Sequence, residues 1–101
     1  QVSGSSTEEL SEAPQQLALM QNYPNPFNPS TLIHFELPNA GQVKLEVYNI
    51  LGKKIATLID EVKNQGAHQV LFEASGISSG VYFYRIEFEG QVLTNKMMLL
   101  K

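Results

Sequence analysis

The sequence predicts an all-β domain, an antiparallel sandwich of about seven short strands. Three observations lead there. From Thr31 onward, apolar residues recur at every second position, the period of a half-buried strand. Turn chemistry separates these stretches at spacings of roughly 8 to 14 residues, the pattern of all-β sandwiches. No segment carries a helical period of useful length.

The first stretch, residues 1–16, reads as a linker to something upstream. It is rich in Ser, Glu and Gln, and Glu8, Glu9 and Glu12 carry the whole net charge of −3. It offers too little apolar surface to offset the entropy of ordering it. The domain is predicted over 17–101. Leu17 to Gln21 is a short apolar run predicted as a first edge strand. It ends at Gln21-Asn22-Tyr23-Pro24-Asn25-Pro26-Phe27-Asn28-Pro29-Ser30, which holds three of the chain's five prolines. Proline lacks an N–H and pushes the preceding residue out of the helical region. This stretch is therefore expected to be an extended, kinked crossing, with Tyr23 and Phe27 as its anchors in the core.

Thr31, Ile33, Phe35 and Leu37 share one face of the second strand. Pro38 to Gly41 turns the chain. Val43, Leu45 and Val47 share a face of the third strand, with Lys44, Glu46 and Tyr48 opposite. Asn49-Ile50-Leu51-Gly52 is a tight turn in which Gly52 supplies the positive φ. The return strand is predicted over 53–60, with Ile55, Thr57 and Ile59 on one face, and a polar connection follows over 61–66. His68, Val70 and Phe72 share a face of the fifth strand. The loop from Ala74 to Gly80 is expected to cross between sheets. Residues 81–89 give the strongest strand signal, with Tyr82, Tyr84, Ile86 and Phe88 on one face. Residues 91–101 return as the last strand. The whole matches an immunoglobulin-like sandwich without the cysteine pair and tryptophan of antibody domains.

Composition excludes several functions. The chain is 43% hydrophobic but only 17% charged, below the roughly 25% of an average protein, which leaves little for a catalytic or phosphate-binding surface. Without cysteine there is no disulfide, thiolate or cysteine zinc site. No apolar run approaches 18 residues. No secretory leader pattern opens the chain, so a secreted origin requires it to be a piece of a longer precursor. His34 and His68 stand alone, without metal-ligand spacing. Asp60 beside Glu61 reads as a solvated strand end rather than an acid–base pair. No Gly-x-Ser-x-Gly elbow or phosphate loop occurs, and Pro29 disqualifies Asn28-Pro29-Ser30 as a glycosylation acceptor. No catalytic residue, cofactor, metal, nucleic acid or small-molecule substrate is expected. Tyr82 and Tyr84 could form a sugar platform, but their strand spacing suits a core, with a tyrosine bonded back to the preceding loop. The end of the chain, Met97-Met98-Leu99-Leu100-Lys101, is either an ordinary last strand or a segment read by another protein.

Four segments together carry a family resemblance: Leu19 to Thr31, Val47-Tyr48-Asn49-Ile50-Leu51-Gly52, Ser79-Gly80-Val81-Tyr82-Phe83-Tyr84-Arg85, and Lys96 to Lys101. The sequence resembles the type A C-terminal sorting domain of the type IX secretion system of Bacteroidetes and related bacteria. It is also similar to the immunoglobulin-like domain of flagellar hook-capping proteins. The resemblance implies a seven-stranded, non-enzymatic sandwich at the end of a larger cargo. The cargo reaches the periplasm by its own signal. The machinery at the outer membrane of the Gram-negative cell then recognises the sorting domain and exports the cargo to the surface or the medium. In many members a surface sortase removes the domain, here by a cut within 1–16, and joins the cargo to anionic lipopolysaccharide.

The family's determinant lies at the last strand, which here means Lys96, Met97, Leu99, Leu100 and Lys101, with Gly80 and Tyr82 matching the glycine–aromatic segment before it. Tyr23, Pro24, Asn25, Pro26, Phe27, Asn28, Pro29 and Gly52 match its structural motifs. Strand addition at an exposed edge is one expected mode of recognition. The alternative is a non-catalytic accessory module of a secreted enzyme, carbohydrate-binding or a plain spacer.

Overall fold

The structure, a computed structural model, describes residues 15–101. The expected linker over 1–16 falls almost wholly outside the described residues. Seven strands follow in order: β1 (Ala18–Leu19), β2 (Ser30–Leu37), β3 (Gly41–Tyr48), β4 (Lys54–Lys63), β5 (Gly66–Glu73), β6 (Gly80–Phe88) and β7 (Gln91–Leu99). They form two antiparallel sheets, β1-β2-β5 and β4-β3-β6-β7. The fourth strand lies beside the third, in the larger sheet. In immunoglobulin constant domains it instead joins the sheet of the first, second and fifth strands.

The alternation read from the sequence sets the two inner faces. Ile33, Phe35 and Leu37 of β2 meet Val43, Leu45 and Val47 of β3 and Tyr84, Ile86 and Phe88 of β6, all nearly or fully buried. Each such side chain contributes about 1.5–3 kcal/mol by leaving water. The loop from Ala74 to Gly80 crosses between sheets as expected. A second crossing is much tighter than expected. β4 runs on to Lys63 and β5 begins at Gly66, so only Asn64 and Gln65 join them.

Two readings need correction. Tyr23 is no core anchor: it is 76% exposed, while Phe27 is 2% exposed. Tyr23 pairs with Leu32 through the backbone, N–H to C=O in both directions, and this turns its ring outward. Phe27 alone enters the core, where its ring meets that of Phe72 at 6.1 Å. In β4, Ile55, Thr57 and Ile59 do not share a face. The register with β3 slips twice, so that Leu45 faces Ile59, Glu46 faces Thr57, Val47 faces Ala56 and Tyr48 faces Lys54. Each slip inserts an unpaired residue and breaks the period of two. Ile59 and Ala56 thus follow inward partners, and Thr57 is exposed.

The strands define two poles. At one lie the β2–β3, β4–β5 and β6–β7 turns. The described chain comes in there, with Ala18 opposite Glu36. At the other lie the proline-rich segment, the Asn49–Lys53 turn, the Ser75–Ser79 loop and Lys101.

Candidate recognition site at the last strand

The side chains of β7 divide by parity. Met97 and Leu99 point into the core and are 1% and 0% exposed, whereas Lys96, Met98, Leu100 and Lys101 face solvent. Gly80 pairs with Leu99 and Tyr82 with Met97, so the glycine–aromatic segment lies directly against the last strand. Gly80 has φ 151°, which a side-chain-bearing residue rarely adopts. Tyr82 is buried, and its hydroxyl donates to the Ser78 carbonyl at 2.6 Å, pinning the crossing loop.

The outer edge of β7 is not free along this stretch. The proline-rich segment runs beside it and takes up its backbone groups in turn. Gln21 Nε2 donates to the Lys96 carbonyl at 2.8 Å, and the Met98 N–H donates to Asn25 Oδ1 at 2.9 Å. Phe27 N–H donates to the Met98 carbonyl at 2.9 Å, and Leu100 N–H to the Phe27 carbonyl at 3.0 Å. The peptide bonds before Pro24, Pro26 and Pro29 are cis. Lys101 is held from the other side, by the loop before β6, with its N–H on Ser79 Oγ at 2.9 Å and its Nζ on the Ser75 carbonyl at 2.8 Å. Strand addition on β7 between Lys96 and Leu100 would therefore have to displace the protein's own residues 21–27.

Polar groups behind this strap hold it in place. The Tyr84 hydroxyl donates to the Met20 carbonyl at 2.7 Å and accepts the Asn22 N–H at 2.8 Å. Burial raises its pKa above the ordinary 10.0, opposed by the bonds from Asn95 and Asn22. Asn95 Nδ2 also reaches the Leu19 carbonyl at 3.0 Å. Asn22, itself buried, bonds Thr31 and the Pro24 carbonyl.

On the outer face of the larger sheet, register aligns Lys54, Tyr48, Phe83 and Lys96 in one row across four strands. Beside it, Glu46 is buried on the outward side of β3, which alternation alone would have exposed. Tyr48 donates to its carboxylate at 2.7 Å, Lys54 pairs with it at 3.1 Å, and Arg85 lies over the Tyr48 ring at 4.7 Å. The Tyr48 bond, chiefly, and then Lys54 hold the Glu46 carboxyl below its ordinary 4.5 despite burial. Tyr48 is raised in turn, first by that bond and then by burial. Tyr82 and Tyr84 lie inside and Arg85 covers Tyr48, so these rings form no open sugar platform. His34 and His68 do not meet. His34 bonds Gln69 at 2.8 Å, and His68 stacks on Phe35 at 5.3 Å. No cluster of three or more His, Cys, Asp or Glu that could hold a metal occurs among the described residues.

A family model, the secretion system C-terminal sorting domain, matches residues 21–100. The chain belongs to this family of sorting domains. No curated protein matches it. The match runs from the strap to the residue before Lys101, so it spans both sides of the site described above. As a type IX C-terminal sorting domain, the chain is a non-catalytic signal for export across the Gram-negative outer membrane to the cell surface or the medium. Its partners are the type IX machinery and the cargo that carries it. Sequence reasoning missed the strap's use of Asn25 and the burial of Glu46. An asparagine between two prolines was a usable signal for the first. Nothing in the alternation signalled the second.

Proposed function

We propose that the machinery reads this sorting domain as a folded unit, through the solvent-facing residues that end the last strand. Lys96, Leu100 and Lys101 make the contacts. Met97 and Leu99 act from inside the core by fixing the strand, and Gly80 and Tyr82 set the loop beside it. One observation carries this reading: β6 holds residues 96–99 on one edge, residues 21–27 hold 96–100 on the other, and Ser79 and Ser75 hold Lys101. A segment so held presents a fixed set of side chains, and a partner pays little ordering entropy to bind it. Residues 1–16 are the acidic tether to the cargo. Where a sortase acts, it cuts there and transfers the cargo to surface lipopolysaccharide.

The test fuses residues 1–101 to a periplasmic reporter in a host with the type IX machinery. Deleting Met97 to Lys101 should abolish surface display, but it also removes Met97 and Leu99 from the core. The decisive variant is therefore Leu100→Ser with Lys101→Glu, at exposed positions. It should fold as the parent does and lose display. Undiminished display of that variant would sink the reading.

A further inference from the structure

We propose that the pole opposite the incoming chain is a docking tip centred on the Asn49–Lys53 turn, and that it fits a protein presenting an apolar cleft edged by carboxylates. The proposal rests on the sorting-signal reading and adds to it a surface outside the last strand.

The first observation is the tip itself. Ile50 and Leu51 are 68% and 87% exposed, side by side at the end of the β3–β4 hairpin. The turn around them is tightly bonded. Asn49 Oδ1 accepts from the N–H groups of Leu51 and Lys53 at 2.9 and 3.0 Å, and the Asn49 carbonyl accepts from Gly52 at 3.0 Å. Gly52 takes φ 85°. Asn49 and Gly52 supply the turn's chemistry, so the fold does not require apolar side chains at positions 50 and 51. A rigid turn that holds two large apolar groups in water is preorganised for a partner.

The second observation is the sorting of charge. The described domain has equal numbers of acidic and basic side chains, yet the poles differ. Lys53, Lys54, Arg85, Lys96 and Lys101 lie toward the tip with two acids, Glu73 at a strand end and the buried Glu46, which pairs with Lys54. Glu36, Asp60, Glu61, Glu87 and Glu89 lie toward the other pole, with Lys44 and Lys63. Such a field steers an acidic partner to one end and turns it from the other.

The third is shape. A groove runs along each side of the turn. One lies between Ile50 and Phe83, the other between Leu51 and Ser79. Ser79 also holds the Lys101 N–H, so the second groove joins the tip to the end of the last strand. Cations with an apolar pair would also suit an anionic membrane. Grooves flanking the protruding turn instead fit a solid surface that interdigitates with them, which a bilayer does not offer.

The experiment uses the same reporter fusion, carrying Ile50→Ser with Leu51→Ser or, separately, Lys53→Glu. Val62→Ser, equally exposed near the opposite pole, is the control. The parent and the control should be displayed alike. The double-serine variant should fall at least tenfold, and the Lys53 variant severalfold, with melting temperatures unchanged. Parent-level display of both tip variants would overturn the docking tip and leave the sorting reading intact. Absence of display from the parent itself would overturn the sorting reading and the tip with it. The 101-residue chain should not sediment with vesicles of anionic phospholipid. Sedimentation that the double-serine change abolishes would assign the tip to lipid and overturn the protein partner.

Discussion

Phe27 and Leu99 lie side by side in parallel, the one parallel pairing beside two wholly antiparallel sheets among the described residues. The backbone of Phe27 bridges Met98 and Leu100 while its ring fills the core against Phe72. One residue thus fastens the start of the domain to its end, and its loss should be felt in both.

Phe27→Ala should cost about 3–5 kcal/mol, the range for emptying a buried phenylalanine site. Tyr23→Ala, four residues earlier in the same strap but exposed, should stay within about 0.5 kcal/mol. Urea unfolding of the two variants checks this. Equal losses would mean that the strap's two aromatics anchor it alike.

Asn25→Ala removes the acceptor of the Met98 N–H at a solvent-facing edge. The expected cost is about 0.5–1.5 kcal/mol. Hydrogen exchange at the Met98 amide should quicken selectively, while the Met97 amide, held by β6, keeps its protection. A uniform change at both amides would contradict a strap that acts at this edge.

Tyr84→Phe deletes a hydroxyl that serves Met20 and Asn22 at once and strands the buried Asn22 N–H. A loss of about 1–3 kcal/mol is expected. Tyr82→Phe loses a single bond to Ser78 and should cost about 0.5–1.5 kcal/mol. Thermal melts of the pair should rank them in that order.

Stability should depend on pH through the Glu46 cluster. Glu46 is lowered in the fold, so its contribution is complete above 4.5. It fades as pH falls through the lowered folded value. Tyr48 and Tyr84 are raised, so their contributions are complete below 10.0 and fade as pH rises through their folded values. Denaturant titrations of the parent and Glu46→Gln should therefore differ most at neutral pH and converge in acid. A gap that persists unchanged below pH 4.5 would remove the carboxylate from the account.

Much of this protein was legible in its sequence because the period of a strand is local. Val43, Leu45 and Val47, or Tyr82, Tyr84, Ile86 and Phe88, declare an inner face without reference to any partner. The Asn49–Gly52 turn and the Tyr82 bond to the loop before it follow from side chains within a few residues of one another. The family motifs are likewise fixed stretches of chain.

What the sequence left open depends on distant partners. Whether Tyr23 or Phe27 enters the core is set by the pairing of Tyr23 with Leu32. The face of Thr57 is set by two register slips against β3. Glu46 is buried because Tyr48, Lys54 and Arg85 close over it. The edge of β7 is filled because residues some seventy positions earlier return to lie along it. Backbone alternation fixes which way a side chain points. Only the assembled sheets decide what stands in front of it, because burial belongs to the neighbours and not to the residue.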